Sequence, residues 1–403
     1  MCCRHDGYVT LIIHIYRAAR HFCRSRRMKI SIKPFFDMSW LRTVEEYREI
    51  SRQIPQKIIM PPPPWKGASS ENLQTGIRRY NAFAENGSFF TPSLSTNLCT
   101  IRNGKFLVGH GMDGLILNDD NQPIPNTNLL IKNTNIGRVN NYAIDLPVQH
   151  HFDEIFVSFD GAWKNYFHWL TFVIAQGAMA KDILGPDVQI AAPAHNIDND
   201  ETLPGYSRDV YNQSIHFSGL RNNIVPLRSG LYSARKIHFF LLFPMDPLHV
   251  IFNRKFYDIF EAMQKFIPPA TNTPKNIYLA RRGNAQERIP PASLNILERE
   301  LAQRGYTKVH FEGHDLLTQM ACIQNAKSIV SPHGAGLTNI LFGNSRLRVM
   351  EINRQIDGPK NGFRPAYFLF SNALGNRYLN VDGDELGTNS TNITQALDQL
   401  EAL

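Results

Sequence analysis

The sequence predicts an α/β protein of two domains, with a doubly wound parallel sheet in the second. The chain has 403 residues, which is more than one hydrophobic core usually serves. Its last third alternates short apolar runs with helical segments, the pattern of right-handed βαβ units and a parallel sheet. Hydrophobic residues make up 43% of the chain and charged residues 19%. These fractions are ordinary for globular proteins, so disorder should not dominate.

The N-terminal domain is predicted over residues 28–267. Its part at 85–150 is rich in Asn, Gly and Thr and contains short apolar runs, which favours hairpins over helices. In the part at 151–267 buried strands alternate with helices, among them a long apolar helix from Tyr166 to Lys181. We therefore expect a β-rich segment followed by an α/β segment.

A proline-rich segment at 268–274 marks the domain boundary, and the C-terminal domain is predicted over residues 275–403. Apolar runs of strand length recur there, separated by helical segments or by a glycine turn into a short helix: Ile277–Ala280, Lys308–Phe311, Ser328–Ser331 and Arg348–Ile352. These runs predict the parallel sheet.

The first 27 residues differ from the rest of the chain. The apolar run from Val9 to Tyr16 is too short to span a bilayer. Five arginines follow it, whereas a secretory signal carries its basic residues first. Because the segment from Met28 reads like an ordinary start, we interpret residues 1–27 as a misassigned upstream extension. The alternative is a basic amphipathic helix on a membrane surface, which would place the protein peripherally at the inner face of the plasma membrane.

The charge balance favours an anionic partner. Lys and Arg number 43 against 35 Asp and Glu, a formal net charge of +8, which suits nucleic acid, an anionic membrane or a phosphorylated small molecule. The basic residues are scattered and carry no nucleic-acid-binding signature. We therefore predict a phosphorylated substrate and no nucleic acid. Five cysteines without disulfide or metal-ligand spacing indicate a reducing compartment, and hence the cytoplasm.

A glycine-rich turn follows the third strand of the C-terminal domain, where residues 331–339 read SPHGAGLTN. Ligands of doubly wound sheets bind beyond the carboxyl ends of the strands, near helix N-termini. Gly334 and Gly336 would leave room for a diphosphate, the amides that follow would point at it, and His333 could donate to a phosphate or sugar oxygen. The alternative is a tight turn with a capping histidine and no ligand.

Two arginines, Arg281 and Arg282, follow the first strand of the same domain. The topology places them at the same edge of the sheet as the glycine turn. Guanidinium groups suit phosphate oxygens, so these side chains are candidate phosphate ligands. The alternative is a solvated pair on a loop.

Together with the glycine turn, residues 165–170, which read NYFHWL, closely resemble glycosyltransferase family 61. Bacterial members of that family look like capsular or exopolysaccharide biosynthesis proteins. The resemblance extends from about Ile155 to Ile352. Weaker matches lie between and after the two motifs: Arg281, Arg288, Gln319 and Glu351.

The resemblance implies a GT-B-like arrangement, in which two Rossmann-like domains face a cleft. It places the donor on the C-terminal domain and the acceptor over the N-terminal one, and it implies inversion at the anomeric carbon and no obligatory metal. The implied partners are a nucleotide sugar and a polysaccharide or lipid-linked glycan, with no cofactor besides the donor substrate. The implied nucleotide-sugar ligands are Arg281, Arg282, His333, Gly334, Ala335, Gly336, Leu337, Asn339 and Glu351. The implied acceptor-side residues are Asn165, Tyr166 and Trp169.

One position departs from the family pattern. Members usually carry an acidic residue four positions after the histidine of the NYFHW motif, where it could serve as general base, but this chain has Phe172. The nearest candidate bases are then His168 and Asp160. Each has an alternative interpretation, His168 as a packed histidine beside Trp169 and Asp160 as a helix cap.

No metal site is predicted. His310, His314 and His333 lack a spacing that places three ligands on one face, and the pair Asp382 and Asp384 lies in a Gly/Asn-rich stretch typical of a surface turn. The resemblance thus implies an inverting, metal-independent glycosyltransferase of capsule or exopolysaccharide synthesis. Two alternatives stay open: a catalytically inert sugar-nucleotide-binding or scaffold protein of the same pathway, and a pyruvyl-type polysaccharide-modifying transferase.

Overall fold

The computed structural model describes the following parts of the chain: residues 44–53, 56–58, 83–85, 88–91, 94–109, 113–121, 123–124, 146–159, 161–195, 204–243, 251, 253–269, 272–282, 289–353, 365–384, 386–387 and 390–403. Residues 1–27, Asp160 and Arg288, for which predictions were made, lie outside the described residues. In the described part of the chain, no helix has the length and apolar character needed to cross a membrane.

The described strands before the proline-rich segment form two sheets: β1 (Val44–Gln53), β2 (Lys57–Ile58), β3 (Phe83–Glu85), β4 (Ser88–Phe90), β5 (Leu94–Val108), β6 (Ile116–Leu117), β7 (Pro123–Ile124), β8 (Val148–Val157), β9 (Ile190–Pro193), β10 (Ile224–Leu227) and β11 (Gly230–Phe243). The larger sheet has the order β10-β9-β8-β11-β5-β6-β7, with β1 paired to β5. Its β10, β9, β8 and β11 run parallel, whereas β5 is antiparallel to β11 and β1. The small sheet, β2-β4-β3, is antiparallel.

The described strands after that segment form a five-stranded parallel sheet in the order β13-β12-β14-β15-β16. They are β12 (Asn276–Leu279), β13 (Thr307–Val309), β14 (Ser328–Pro332), β15 (Arg348–Asn353) and β16 (Arg377–Asp382). The first four correspond to the predicted apolar runs, and β16 is an addition. The predicted α/β class with parallel strands is confirmed.

Helices connect the strands: α1 (Tyr166–His168), α2 (Ala175–Leu184), α3 (Arg208–Phe217), α4 (Arg254–Met263), α5 (Pro291–Gln303), α6 (Leu316–Asn325), α7 (Ala366–Leu374) and α8 (Ser390–Ala402). Four of them begin at a side chain that accepts a hydrogen bond from a first-turn amide: Asn165 before α1, Ser207 before α3, Asn253 before α4 and Asp315 before α6. Such caps satisfy amides that have no partner within the helix.

The predicted helix from Tyr166 to Lys181 is divided into three parts. Asn165 is extended, and its Oδ1 accepts the Phe167 amide at 2.9 Å, which starts α1. A π-helix over Trp169–Ile174 then joins α1 to α2. The Thr171 hydroxyl donates to the Phe167 carbonyl at 2.7 Å, a bond of the kind that competes with the regular backbone ladder.

Helix α4 packs between the two halves of the chain. Its Phe256 lies 5.8 Å from Phe370 on α7, and its Phe260 lies 5.5 Å from Phe342 (distances between ring centroids). Phe167 on α1 stacks on the same Phe370 at 5.9 Å. One cluster of buried side chains therefore runs through both large sheets. The domain boundary at 268–274 stays a prediction.

Candidate functional site

A cavity of about 490 Å³ opens at the carboxyl ends of the strands of the C-terminal sheet, a size suited to a small-molecule ligand. Strand β12 has β13 on one side and β14 on the other, so the direction in which the chain crosses the sheet reverses between β12 and β14. Ligands of doubly wound sheets bind at such a switch point. The cavity is lined by Leu279–Arg281 at the end of β12, Phe311–His314 after β13, Ser331, Pro332 and Gly334–Gly336 after β14, Gln319 on α6, and Asn165, Tyr166, Pro204–Ser207 and Val210 from the first half of the chain.

Arg281 lies across the glycine turn. Its Nη1 donates to the His333 carbonyl at 2.6 Å. A Cβ atom at Gly334 would lie 2.9 Å from three guanidinium atoms. Because real Cβ atoms do not approach that closely, any larger residue at position 334 would displace the Arg281 guanidinium. That Gly334 leaves room for a diphosphate stays a prediction; in this structure the Arg281 guanidinium lies next to the glycine.

Gly336 lies against the strand beneath it. A Cβ there would lie 3.3 Å from Leu279 Cδ2, so the glycine lets the turn approach β12. A 3₁₀-helix over Ala335–Phe342 begins at this turn, and the Leu337 amide donates to the Gly334 carbonyl at 3.0 Å. Ala335 lines the cavity, whereas Leu337 is buried in the core.

Asn339 connects the two halves of the chain. Its Oδ1 accepts the Tyr166 hydroxyl at 2.7 Å, and its Nδ2 donates to Gln319 Oε1 and to the Gly336 carbonyl, both at 3.0 Å. Burial raises the pKa of Tyr166, so its hydroxyl stays protonated and donates. Asn339 is fully buried. It therefore holds the cavity wall in place and is not exposed for the ligand contact that the family resemblance implied.

The half-buried His333 pairs with the fully buried Glu351 beside the cavity. His333 Nδ1 contacts Glu351 Oε1, and the Tyr378 hydroxyl donates to Glu351 Oε2 at 2.6 Å. Burial, and then the charge of Glu351, raises the pKa of Tyr378 well above its usual value, which keeps the phenol a donor. Glu351 is fully buried, so both of its oxygens find partners within the protein. The His333 ring is not part of the cavity lining, so its contact with a ligand stays a prediction.

The acceptor-side residues occupy different environments. Asn165 and Tyr166 line the cavity. Trp169 is fully buried, stacks on Tyr211 with ring centroids 4.5 Å apart, and donates through Nε1 to Ser214 Oγ at 2.8 Å. Trp169 therefore packs the core and offers no exposed surface for the acceptor contact predicted for it.

His168, the candidate base, lies beside Phe172, the residue that departs from the family pattern. The His168 ring is half-buried and its centroid is 5.3 Å from that of Phe172, which is fully buried. Neither side chain is among the residues that line the cavity. The role of His168 as base stays a prediction. An aspartate at position 172 would place a charge in the core, so restoring the family's acid would destabilise the fold.

The region that forms the cavity matches a known protein family. The family described as Glycosyltransferase 61 matches residues 149–350, half of the chain. The chain belongs to glycosyltransferase family 61. The matched region contains the NYFHW motif, Arg281 and the glycine turn, and thus the elements that form most of the cavity. Family membership supports the transferase class for the protein.

The similarity of the chain to solved structures is weak. A UDP-GlcNAc 2-epimerase from Methanocaldococcus jannaschii aligns over 56% of the chain and 66% of its own length, with 11% identity and a TM-score of 0.20. A likeness this weak supports no argument. No curated protein matches the sequence.

Several residues that line the cavity were not anticipated from the sequence. Glu312 and His314 line the cavity on the turn after β13, and Tyr206 and Ser207 line it before α3. The rule that drew attention to Arg281, the end of a parallel strand, also applies to Glu312. Glu312 directly follows the predicted apolar run Lys308–Phe311, so the sequence carried this signal, although β13 itself ends at Val309.

The residues considered as metal ligands lie at or after the ends of three strands of the C-terminal sheet. Asp382 and Asp384 lie at the turn after β16, where Asp382 Oδ1 accepts the Asp384 amide at 2.9 Å. His310, His314 and His333 follow β13 and β14. Among the described residues, no group of three or more His, Cys, Asp or Glu side chains is arranged to hold a metal ion. Arg282 is exposed, and its backbone amide donates to Glu312 Oε1 at 3.3 Å.

The pairing of Glu351 gives a stability prediction. Glu351→Leu should lower the free energy of unfolding by about 3 kcal/mol, because it leaves His333 and the Tyr378 hydroxyl without their buried partner. Glu351→Gln should cost less, because its amide oxygen still accepts one bond. Urea unfolding followed by circular dichroism measures both. The matched control is Glu261→Leu, at an exposed carboxylate on α4, where the change should stay within about 0.5 kcal/mol. Equal stability of Glu351→Leu and the wild type would contradict the prediction.

Proposed function

We propose that the protein is an inverting glycosyltransferase that moves a sugar from a nucleoside diphosphate to a hydroxyl of a polysaccharide or lipid-linked glycan. The proposal includes a GT-B-like division of labour, with the donor on the C-terminal sheet and the acceptor over the first half of the chain. It also includes a cytoplasmic location, a role in capsule or exopolysaccharide synthesis, and catalysis without a metal ion or cofactor. Family membership supports the transferase class, and the cavity supports the donor site.

The observation that carries the proposal is the convergence of two anion-binding features at the switch point. The Arg281 guanidinium and the first turn of the 3₁₀-helix, Gly334–Gly336, line the same cavity. First-turn amides have no acceptor within their own helix and carry partial positive charge. A guanidinium beside such amides suits a diphosphate, which is the leaving group of a nucleotide sugar.

The proposed reaction is a single displacement. The acceptor oxygen bonds to the anomeric carbon from the face opposite the diphosphate, the bond from that carbon to the phosphate oxygen breaks, and the configuration inverts. The hydroxyl proton passes to a base, and the nucleoside diphosphate leaves with the bonding electron pair. Arg281 and the amides of the turn stabilise the charge that develops on the leaving oxygen. This stabilisation is the part that a metal ion supplies in other transferases.

One observation favours a second candidate, an inert protein that binds nucleotide sugars. Phe172 replaces the family's usual acid, and it is fully buried, so this position supplies no proton acceptor. Such a protein would bind the donor through Arg281 and release no nucleoside diphosphate.

Donor turnover tests the proposal directly. The full chain should release nucleoside diphosphate from one member of a panel of nucleotide sugars when an oligosaccharide acceptor is added. The rate in excess chelator should stay within a few-fold of the rate with manganese or magnesium. Binding without release across the panel would favour the inert candidate, and reversible loss of activity in chelator would contradict the metal-independent mechanism.

The contact between Arg281 and Gly334 predicts a coupled pair of substitutions. Gly334→Ala should displace the guanidinium, because the new Cβ would lie 2.9 Å from it. Gly334→Ala and Arg281→Ala should therefore each weaken nucleoside diphosphate binding by about tenfold or more. The double variant should be no weaker than Arg281→Ala alone, because both changes remove one interaction. Calorimetry measures all three affinities.

Arg254→Ala, at an exposed arginine on α4, serves as the control for this cycle and should bind like the wild type. Additive losses in the double variant would show that Gly334 acts independently of Arg281. Unchanged binding in both single variants would remove the turn from the donor site.

His168 is the proposed base, and replacing it should lower turnover. His168→Ala should lower turnover by at least about a hundredfold, the contribution of a positioned base, and leave donor affinity nearly unchanged. Asp160→Asn should have a smaller effect. The control is His216→Ala, at an exposed histidine on α3. Normal turnover in folded His168→Ala, as judged by circular dichroism on the same sample, would exclude His168 as the base.

A further inference from the structure

Three hydrogen-bonded side chains cross three neighbouring strands of the C-terminal sheet. Tyr378 lies on β16, Glu351 lies on β15, and His333 directly follows β14. The Tyr378 hydroxyl donates to Glu351 Oε2 at 2.6 Å, and Glu351 Oε1 contacts His333 Nδ1. Tyr378 is 4% exposed and Glu351 is fully buried. The row is therefore shielded from water up to the His333 ring, which is half-buried.

The backbone of His333 is fixed as well. Its amide donates to the Ile352 carbonyl at 2.8 Å, which continues the pairing of β14 with β15. Its carbonyl accepts Arg281 Nη1 at 2.6 Å. Partners within the protein thus set both the position of this residue and the direction of its ring, and Nε2 is the ring nitrogen on the side away from Glu351.

The partners of Glu351 determine which ring nitrogen of His333 carries the proton. A hydroxyl that donates to a carboxylate favours its ionised form, which only accepts hydrogen bonds. Since Tyr378 donates to Oε2, the His333 Nδ1–H is the donor in contact with Oε1. In a neutral imidazole the other nitrogen then carries no proton. His333 Nε2 is therefore a hydrogen-bond acceptor, which suits a hydroxyl and repels a phosphate oxygen.

Two aromatic rings connect the His333 ring to the proposed base. The His333 centroid lies 5.4 Å from that of Tyr367, and the Tyr367 centroid lies 6.0 Å from that of Phe167. The Phe167 centroid lies 5.5 Å from that of His168. In a nucleotide sugar the sugar is bonded directly to the diphosphate. A diphosphate at Arg281 would therefore bring its sugar to the turn that carries His333, on the way to His168.

We propose that Tyr378 and Glu351 are positioning residues that make His333 Nε2 the hydrogen-bond acceptor for a hydroxyl of the transferred sugar. The inference rests on the proposed function, because it needs a nucleotide sugar whose diphosphate lies at Arg281. It assigns the two parts of the ligand to different side chains, since Arg281 binds the diphosphate and His333 binds the sugar. Glu351 acts through His333 and does not touch the ligand.

Calorimetry on the full chain separates the two assignments. The probes are UDP-glucose, UDP-N-acetylglucosamine, UDP-galactose and GDP-mannose, each compared with UDP or GDP alone. His333→Ala should weaken binding of the preferred nucleotide sugar about fivefold, as expected for one lost hydrogen bond, and leave binding of the bare diphosphate within about twofold. Arg281→Ala should weaken binding of both ligands. Tyr378→Phe removes one hydroxyl and should act like His333→Ala, with a smaller loss.

The matched control is Tyr306→Phe. Tyr306 is a buried tyrosine directly before β13, and its hydroxyl is hydrogen-bonded to Ser328 Oγ at 2.7 Å. Its replacement also removes one buried hydroxyl from the C-terminal domain, but it leaves the three side chains of the row unchanged. Tyr306→Phe should therefore bind both ligands like the wild type.

Nitrogen-15 NMR of histidine-labelled wild-type protein locates the proton directly. At about pH 8, where an ordinary imidazole is neutral, His333 should show a protonated Nδ1 and an unprotonated Nε2. The signals are assigned from their absence in His333→Ala. In Tyr378→Phe a fraction of the His333 rings should carry the proton on Nε2 instead, a change that a purely structural tyrosine would not produce.

The outcomes separate this inference from the proposed function. If His333→Ala weakens binding of the nucleotide sugar and of the bare diphosphate equally, His333 binds phosphate and only the sugar assignment is wrong. An unchanged affinity for both ligands, or a protonated Nε2 in the wild type, also overturns that assignment. If Tyr378→Phe changes neither the ratio of affinities nor the NMR signals, Tyr378 is not a positioning residue. If the wild type binds none of the probes, the proposed function fails as well.

Discussion

The cavity depends on the three hydrogen bonds of the Asn339 side chain. Its oxygen accepts from Tyr166 and its amino group donates to Gln319 and to the Gly336 carbonyl. An asparagine has one acceptor and one donor group, and this arrangement uses both. Because Gln319 donates in turn to two backbone carbonyls of the turn after β13, reversing either amide would bring buried acceptors to face acceptors, and reversing Gln319 would also bring two donors together. The network therefore has one orientation, and it fixes the first half of the chain, the glycine turn and the turn after β13 relative to one another.

This constraint explains why motif residues divide into framework and cavity lining. Asn339, Glu351 and Trp169 are fully buried, so their chemistry is directed into the protein. Arg281, Asn165 and the backbone of the glycine turn line the cavity. A sequence motif contains both kinds of residue, because a buried polar group that loses its partner destabilises the fold, whereas a lost ligand contact weakens binding.

The sequence was sufficient for the C-terminal sheet and for the edge at which the cavity lies. Its apolar runs are short and continuous, as expected of strands buried on both faces, and the carboxyl ends of parallel strands share one edge. Strand β16 was missed because Arg377–Asp382 mixes polar and apolar residues. The directions of side chains at a strand end could not be predicted, since His333 turns towards Glu351 while the neighbouring Gly334 lies under Arg281. The core shared through Phe256 and Phe260 of α4 depends on tertiary packing, which periodicity alone does not specify.

Phe172 affects only one of the two steps of the proposed chemistry, the deprotonation of the acceptor, and not the stabilisation of the leaving diphosphate. Phe172 packs in the π-helix against Phe167 and His168, away from the switch point, so it does not disturb the anion-binding features. A positioned base contributes about 10²–10⁴ in rate. Each preorganised donor to a developing oxyanion contributes about 10²–10³, and this chain offers a guanidinium and the first amides of a helix. Stabilisation of the leaving group therefore carries at least as much of the proposed catalysis as the base does. In the proposed mechanism, stabilisation of the leaving group depends on the sheet topology, on Gly334 and on the Asn339 network, and none of these involves position 172.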